Sequence, residues 1–195
     1  MKNLKKLACI TISIFALSCS KKDDSPTSPV YKEENFYEGF LINSGYIELT
    51  VNYINSSLNY EGGFEFSPMV KGKITSLVVK IPDIKNNLKI TLWDQVTKTV
   101  LRTETVNVAS ANTQYVFDII DIDLIKDKEY CISMNTDDYY VRSRQDNTNA
   151  TYPIIVGNIK VNRCKTLRIT SQTYPEITLL KSCLGDLSFN FLRTE

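Results

Sequence analysis

The 195-residue chain contains no histidine. That absence removes every mechanism built on imidazole: Ser-His-Asp and Cys-His nucleophile activation, HExxH zinc sites and a His-ligated haem. Glycine and proline are scarce, at 7 and 6 residues, which argues against collagen-like and low-complexity architectures. An excess of one charge is missing too, with 23 Lys+Arg against 22 Asp+Glu. No concentrated basic surface is therefore available to neutralise nucleic-acid phosphates, and nucleic acid is not expected as a partner. The N-terminal apolar stretch, Leu7 to Leu17, falls well short of the roughly 20 residues that carry a helix across a bilayer. The length fits one domain with a tail.

What is present begins with an address. Lys2, Lys5 and Lys6 precede the apolar stretch with no acid among them, the layout of a secretory signal. The stretch runs through Ala16-Leu17-Ser18 into Cys19. These residues resemble the lipobox of bacterial lipoproteins, with Ala16 standing where Leu is commonest. The resemblance implies a signal peptide over residues 1–18 and acylation of Cys19 as the new N-terminus. Residues 19–34, with Lys21-Lys22-Asp23-Asp24 and Pro26 and Pro29, are polar and proline-punctuated, and read as a disordered tether. Lys22-Asp23-Asp24 is similar to the export tag that sends some Gram-negative lipoproteins to the cell surface. Display there is favoured over the periplasmic face. The acyl chains would hold the domain at the outer membrane without a spanning segment. Removing 18 residues and three lysines leaves 177 residues with 20 basic and 22 acidic side chains, a formal −2.

From residue 35 to 195 the pattern is that of strands. Only Ala109, Ala111 and Ala150 remain of the alanines, while Ile, Val, Thr and Tyr abound. Leu88–Leu92, Tyr130–Met134 and Leu187–Phe191 alternate with a period of two, and Val100–Val108 is polar enough for a strand near an edge. Ile74–Ile81 is a denser run, suited to burial on both faces. Turn residues at Asn43-Ser44-Gly45, Gly62-Gly63, Asp94-Gln95 and Gly185-Asp186 punctuate these runs at short spacing. Ten to twelve strands without alternating helices predict an all-β, antiparallel β-sandwich of jelly-roll type. Glu176–Cys183 is the one stretch that could make a short helix, stopped at Gly185.

Phe64-Glu65-Phe66, Lys71-Gly72-Lys73-Ile74-Thr75-Ser76-Leu77, Leu92-Trp93-Asp94, Ile122 to Ile132 and Leu184-Gly185-Asp186-Leu187-Ser188-Phe189 together resemble a bacterial secreted β-sandwich module. It is a domain of unknown function, sometimes found beside carbohydrate-active modules. The likeness covers most of residues 60–195 and leaves 35–59 outside. It implies a non-catalytic surface domain, with carbohydrate binding suggested by analogy.

Candidate binding residues follow from the strand pattern. Tyr140, Arg142 and Arg144 alternate, so one strand face could carry all three, offering donor forks beside an aromatic ring to acidic or sulfated sugars. Trp93, the single tryptophan, sits where a strand meets a turn and could stack on a sugar or cover the core. Asp118, Asp121, Asp123, Asp127, Asp137 and Asp138 match no calcium-loop spacing, and no two acids are singled out as a glycosidase pair. No metal, cofactor or catalytic residue is expected. Of the five cysteines, Cys9 leaves with the signal and Cys19 is acylated. Cys131, Cys164 and Cys183 remain, either as one bridge plus a free thiol or as three core residues. If there is a bridge, Cys164–Cys183 is favoured. The functional expectation is a lipid-anchored domain that binds a glycan or other extracellular ligand without transforming it. The alternative is a structural or adhesive subunit that recognises another surface protein.

Overall fold

Alternation of apolar and polar residues lets strands such as Leu88–Leu92 present one face inward, and two sheets close over those faces. The computed structural model describes residues 29–50, 59–169 and 171–195, the side chains of Glu48 and Thr50 excepted. The expected signal peptide, Cys19 and most of the tether lie outside the described residues. Tyr31–Glu195 forms one compact unit, in which every strand pairing among the described residues is antiparallel.

The first sheet runs in the order β1 (Glu34–Asn35), β14 (Asp186–Arg193), β4 (Gly72–Lys80) and β7 (Gln114–Leu124). The second has the order β10 (Ile154–Val156), β11 (Ile159–Arg168), β3 (Tyr60–Pro68), β8 (Tyr130–Thr136), β5 (Lys85–Asp94) and β6 (Val100–Val108), with β12 (Ile177–Leu179) added on β11. A small third sheet joins β13 (Ser182–Leu184), β9 (Val141–Ser143) and β2 (Glu48–Thr50). The pairs β5–β6, β4–β7 and β3–β8 are nested, and successive pairs alternate between the two large sheets. That wrapping is the jelly-roll order, and the chain is an all-β sandwich as its residue pattern predicts.

The core lies between the two sheets. Leu187 and Phe189 of β14 stand opposite Val79 and Leu77 of β4, while Phe64 of β3 faces Ile132 of β8 and Ile90 of β5 faces Met134. All are at most 2% exposed, and burying each contributes about 1.5–3 kcal/mol. Phe189 bridges the layers, its ring centroid 4.9 Å from Phe66 and 5.0 Å from Phe36.

Among the described residues one helix, α1 (Tyr37–Ser44), lies between β1 and β2. Asn35 Oδ1 accepts the Tyr37 amide at 3.0 Å and so serves an otherwise unpaired donor of the first turn. Gly45 ends the helix at φ 73°, a conformation that costs glycine nothing, and the Tyr46 amide returns to the Leu41 carbonyl. Asn43-Ser44-Gly45 therefore does reverse the chain, but as a helix terminus. Burial of Phe36 and Phe40 against Phe64 holds a helix too short to stand alone.

The helix expected over Glu176–Cys183 is absent; β12 and β13 occupy it. Branched Ile177 and Thr178 pair with Thr166 and Lys165 of β11, and the Lys165 ammonium donates to the Glu176 carbonyl at 2.7 Å. These partners outweigh a weak local helical tendency.

Candidate functional site: a polar cleft on the outer face of the smaller sheet

The outward-facing residues of three neighbouring strands form a row. Gln114 of β7 lies opposite Lys80 of β4, and Lys80 lies opposite Asp186 of β14. One register step along, Val78 is opposite Ser188. Helix α1 stands over this face with Tyr37, Glu38 and Leu41, and β9 brings Arg142. Together they enclose an open cleft of about 450 Å³.

One wall is held by a single carboxylate. Asp186 Oδ1 and Oδ2 accept Arg142 Nε and Nη2 at 2.8 and 2.6 Å, a bidentate fork. The Tyr37 hydroxyl donates toward Asp186 Oδ1 at 3.1 Å and the Gly185 carbonyl at 3.2 Å. Gly185 has φ 84°, and its amide donates to the Tyr140 carbonyl at 2.7 Å, so the turn preceding Asp186 sets where the carboxylate points. Burial, then Asp186, pushes the Tyr37 phenol well above its ordinary value, while Asp186 holds Arg142 more firmly protonated. Both stay in one charge state across the physiological range.

The rest of the cleft is less committed. The Lys80 ammonium lies 5.4 Å over the Tyr140 ring, and among the described residues no carboxylate comes within ion-pair distance of it. Glu38 and Gln114 are exposed at the rim. Ser188 donates to Asn35 Oδ1 at 2.9 Å and closes the floor toward β1. The cleft thus offers a cation, a carboxylate, an amide and an apolar floor at Val78 and Leu41. This set can hydrogen-bond hydroxyls and attract an anionic group.

The sequence-predicted strip is divided. Arg142 reaches the cleft, but its guanidinium is spent on Asp186. Tyr140 is 5% exposed, its hydroxyl hydrogen-bonded to Asn112 Oδ1, so it supports Lys80 and has no open ring face of its own. Arg144 leaves the site: its Nη1 donates to the Ser44 carbonyl at 2.9 Å, and Nε and Nη2 bind Asp146. The physical reason is that β9 spans only Val141–Ser143, so alternation stops before Arg144. Tyr140 and Arg142 therefore take supporting roles, and Arg144 lies outside the cleft.

Of the two readings of Trp93, the structure fits the covering role and not the stacking one. The indole does point away from the main core, but the segment after β11 covers it and leaves it 4% exposed. Its ring meets Tyr174 edge-on at 5.9 Å, and Nε1 donates to Ser133 Oγ at 2.9 Å. Ser133 donates onward to Glu61 at 2.8 Å, and Tyr174 donates to Glu65 at 2.6 Å. Arg163 and Lys165 lie 2.7 and 3.5 Å from Glu65. This closed polar cluster pins the segment to the larger sheet. It presents no face for stacking a sugar.

Cys164 and Cys183 are thiols in the structure, as is Cys131. Among the described residues no three His, Cys, Asp or Glu side chains converge on a metal-binding position. Sequence reasoning missed Lys80, Gln114, Tyr37, Glu38 and Asp186. The Gly185-Asp186 turn was the one available signal, and it marked a turn without its partner. No protein-family model and no curated protein matches the chain.

Proposed function

We propose that this protein is a lipid-anchored outer-membrane lipoprotein whose β-sandwich binds an extracellular saccharide, at the cell surface and without chemical transformation. The observation that carries the ligand is the cleft beside Lys80. Its volume falls in the range of small-molecule sites, roughly 300–1,000 Å³, and its lining converges polar groups on an apolar floor. Lys80 is the cation left without an acid, so an acidic sugar such as a uronate suits the cleft better than a neutral one. The anchor rests on Cys19 and its flanking residues, and the surface address on Lys22-Asp23-Asp24.

A glycan array probed with the wild type and a Lys80→Met/Gln114→Ala variant tests the binding. Signal on uronate-bearing oligosaccharides that the variant loses is the expected result; silence on acidic and neutral glycans alike overturns it. A Cys19→Ser variant should leave the membrane fraction, and a variant that stays there refutes the anchor.

The adhesive alternative draws on the sheet edges. Among the described residues β6 and β7 each have one hydrogen-bonded neighbour, and β7 exposes Val116 and Ile120 along its open side. If that edge recruits a protein strand, Ile120→Lys weakens cell-surface association and leaves the glycan signal intact.

A further inference from the structure

Three turns gather at one end of the sandwich, and each lifts an apolar side chain into solvent. The turn between β3 and β4 leaves Met69 38% exposed, that between β5 and β6 leaves Val96 79% exposed, and that between β7 and β8 leaves Ile125 61% exposed. A lysine follows each of them within two residues: Lys71, Lys98 and Lys126. Backbone hydrogen bonds tie the turns into one platform. The Asp127 amide donates to the Pro68 carbonyl at 2.8 Å, and the Gln95 amide donates to the Glu129 carbonyl at 3.3 Å. The Met69 amide donates to the carbonyl of Asn158, in the turn between β10 and β11, at 2.8 Å. Asp94 Oδ1 accepts the Val96 and Thr97 amides at 3.0 and 2.9 Å, so the Val96 tip is fixed by its own turn.

The tether joins the same end. The Arg193 guanidinium lies 4.4 Å over the Tyr31 ring, and the adjacent Thr194 amide donates to the Lys71 carbonyl at 3.0 Å. Tyr31 follows Cys19 by twelve residues, a length of chain that reaches at most roughly 40 Å. A lipid surface holding Cys19 is therefore the surface that this end meets first. Charge does not drive that meeting: Lys98 pairs with Glu176 at 2.6 Å, Lys128 pairs with Asp94 at 2.8 Å, and Asp127 stands beside Lys126. What remains is three apolar tips, each beside a long amphipathic side chain. Such tips enter the headgroup layer, while the lysine stems lie along them and keep their ammonium groups in water. Ile84, at the far end of β4, is 57% exposed, but it follows Asp83 and precedes a lysine, Lys85, that Asp137 already holds.

We propose that the end carrying Met69, Val96 and Ile125 rests on the bilayer that holds the anchor, with these three side chains set among the headgroups. The inference rests on the acylation of Cys19 in the reading above, and it orients the cleft. Strand β4 runs from Gly72 at this end to Lys80 in the cleft, roughly 26 Å at about 3.3 Å per residue. Lys80 is thereby held away from the bilayer, toward ligands that arrive from outside.

The acylated full chain, reconstituted into vesicles of phosphatidylethanolamine and phosphatidylglycerol, tests this. Met69→Cys, Val96→Cys, Ile125→Cys and Ile84→Cys, each made singly, take an environment-sensitive fluorophore in the folded state, because Cys131, Cys164 and Cys183 are buried and acylation occupies Cys19. On vesicles the first three labels should shift to the blue and be quenched at least about two-fold by nitroxide-bearing lipid, while the label at position 84 stays water-like. Raising NaCl to about 1 M, where charges are screened within about 3 Å, should leave that pattern unchanged. Tip labels that stay water-like, or a label at position 84 that responds equally, overturn the orientation. A pattern that collapses in high salt overturns the apolar contact. A blue shift without nitroxide quenching assigns the tips to a second copy of the chain and overturns the lipid. Mass spectrometry of the same preparation reads the anchor separately: a missing acyl mass refutes the anchor whatever the labels report, whereas an acylated chain with water-like tips refutes this inference alone.

Discussion

Replacing Asp186 with Asn keeps the shape of the side chain and removes the charge that organises one wall of the cleft. The native carboxylate takes two Arg142 hydrogens and the Tyr37 hydroxyl, with the Asp186 and Arg142 side chains 7% and 17% exposed. Arg142 cannot relieve its isolation by losing a proton. An exposed ion pair is worth about 0–1 kcal/mol, whereas removing one partner from a buried pair costs about 3–5 kcal/mol. The residual exposure of Arg142 places Asp186→Asn between them, at about 2–3 kcal/mol. For a domain of this size that lowers Tm by roughly 4–12 °C. Arg142→Met in the same chain removes the stranded cation, so the double variant should be about 2 kcal/mol more stable than the sum of the single effects. Urea unfolding followed by the fluorescence of the single tryptophan measures all four proteins. A cost below about 1 kcal/mol for Asp186→Asn, or plain additivity, refutes the buried fork as the element that holds the wall.

Asp138 is 4% exposed, its two carboxylate oxygens have no hydrogen-bond partner, and burial, then Asp83 and Asp137, raise its pKa from 3.8 to about 6 against the pull of Lys85. The folded state therefore holds this proton more tightly than the unfolded state, so stability falls as pH rises from about 4 to 6, by about 1–2 kcal/mol after solvent screening. Asp138→Asn should flatten that segment of a ΔG-against-pH curve and stabilise the protein at neutral pH; an unchanged slope refutes it. Trp93 emission should be blue-shifted, resist iodide and stay unchanged on adding saccharide, and quenching like that of a free indole would contradict its enclosure. Tyr174→Phe removes a 2.6 Å hydrogen bond to a carboxylate that is 2% exposed and should cost about 1–3 kcal/mol in urea unfolding, against near zero if solvent replaces it. Gly185→Ala puts a side chain at φ 84° and against the Met134 methyl, so a loss of about 1–3 kcal/mol is expected, and a neutral result would mean that the turn relaxes freely.

The fold was legible where local pattern and tertiary demand agree. Leu88, Ile90 and Leu92 alternate in the sequence and all three enter the core; Val100–Val108 is polar because it is an edge with one neighbour. Helix α1 escaped because eight residues carry too few turns for a period of 3.6 to show, and because Phe36 and Phe40 are held by contacts with strands far along the chain. Glu176–Cys183 misled for the converse reason: its state is decided by β11, whose Lys165 reaches across to the Glu176 carbonyl.

The site was less legible because its chemistry lies in pairing. Alternation correctly put Arg142 on a strand, but an arginine free to hold a ligand and one consumed by a carboxylate have the same local sequence. Asp186 lies 44 residues from Arg142 and 149 from Tyr37, and only the register of β14 beside β4, with β9 and α1 folded over them, brings the three together. Lys80 drew no notice in the sequence for the same reason. It becomes the unpaired cation of the cleft because the acid opposite it in the strand pair, Asp186, already serves Arg142. The unpaired charge of the cleft is thus set by competition among neighbours, and Lys80 is the residue to alter first in a test of the proposed binding, since substituting Arg142 would damage the wall and confound binding with stability.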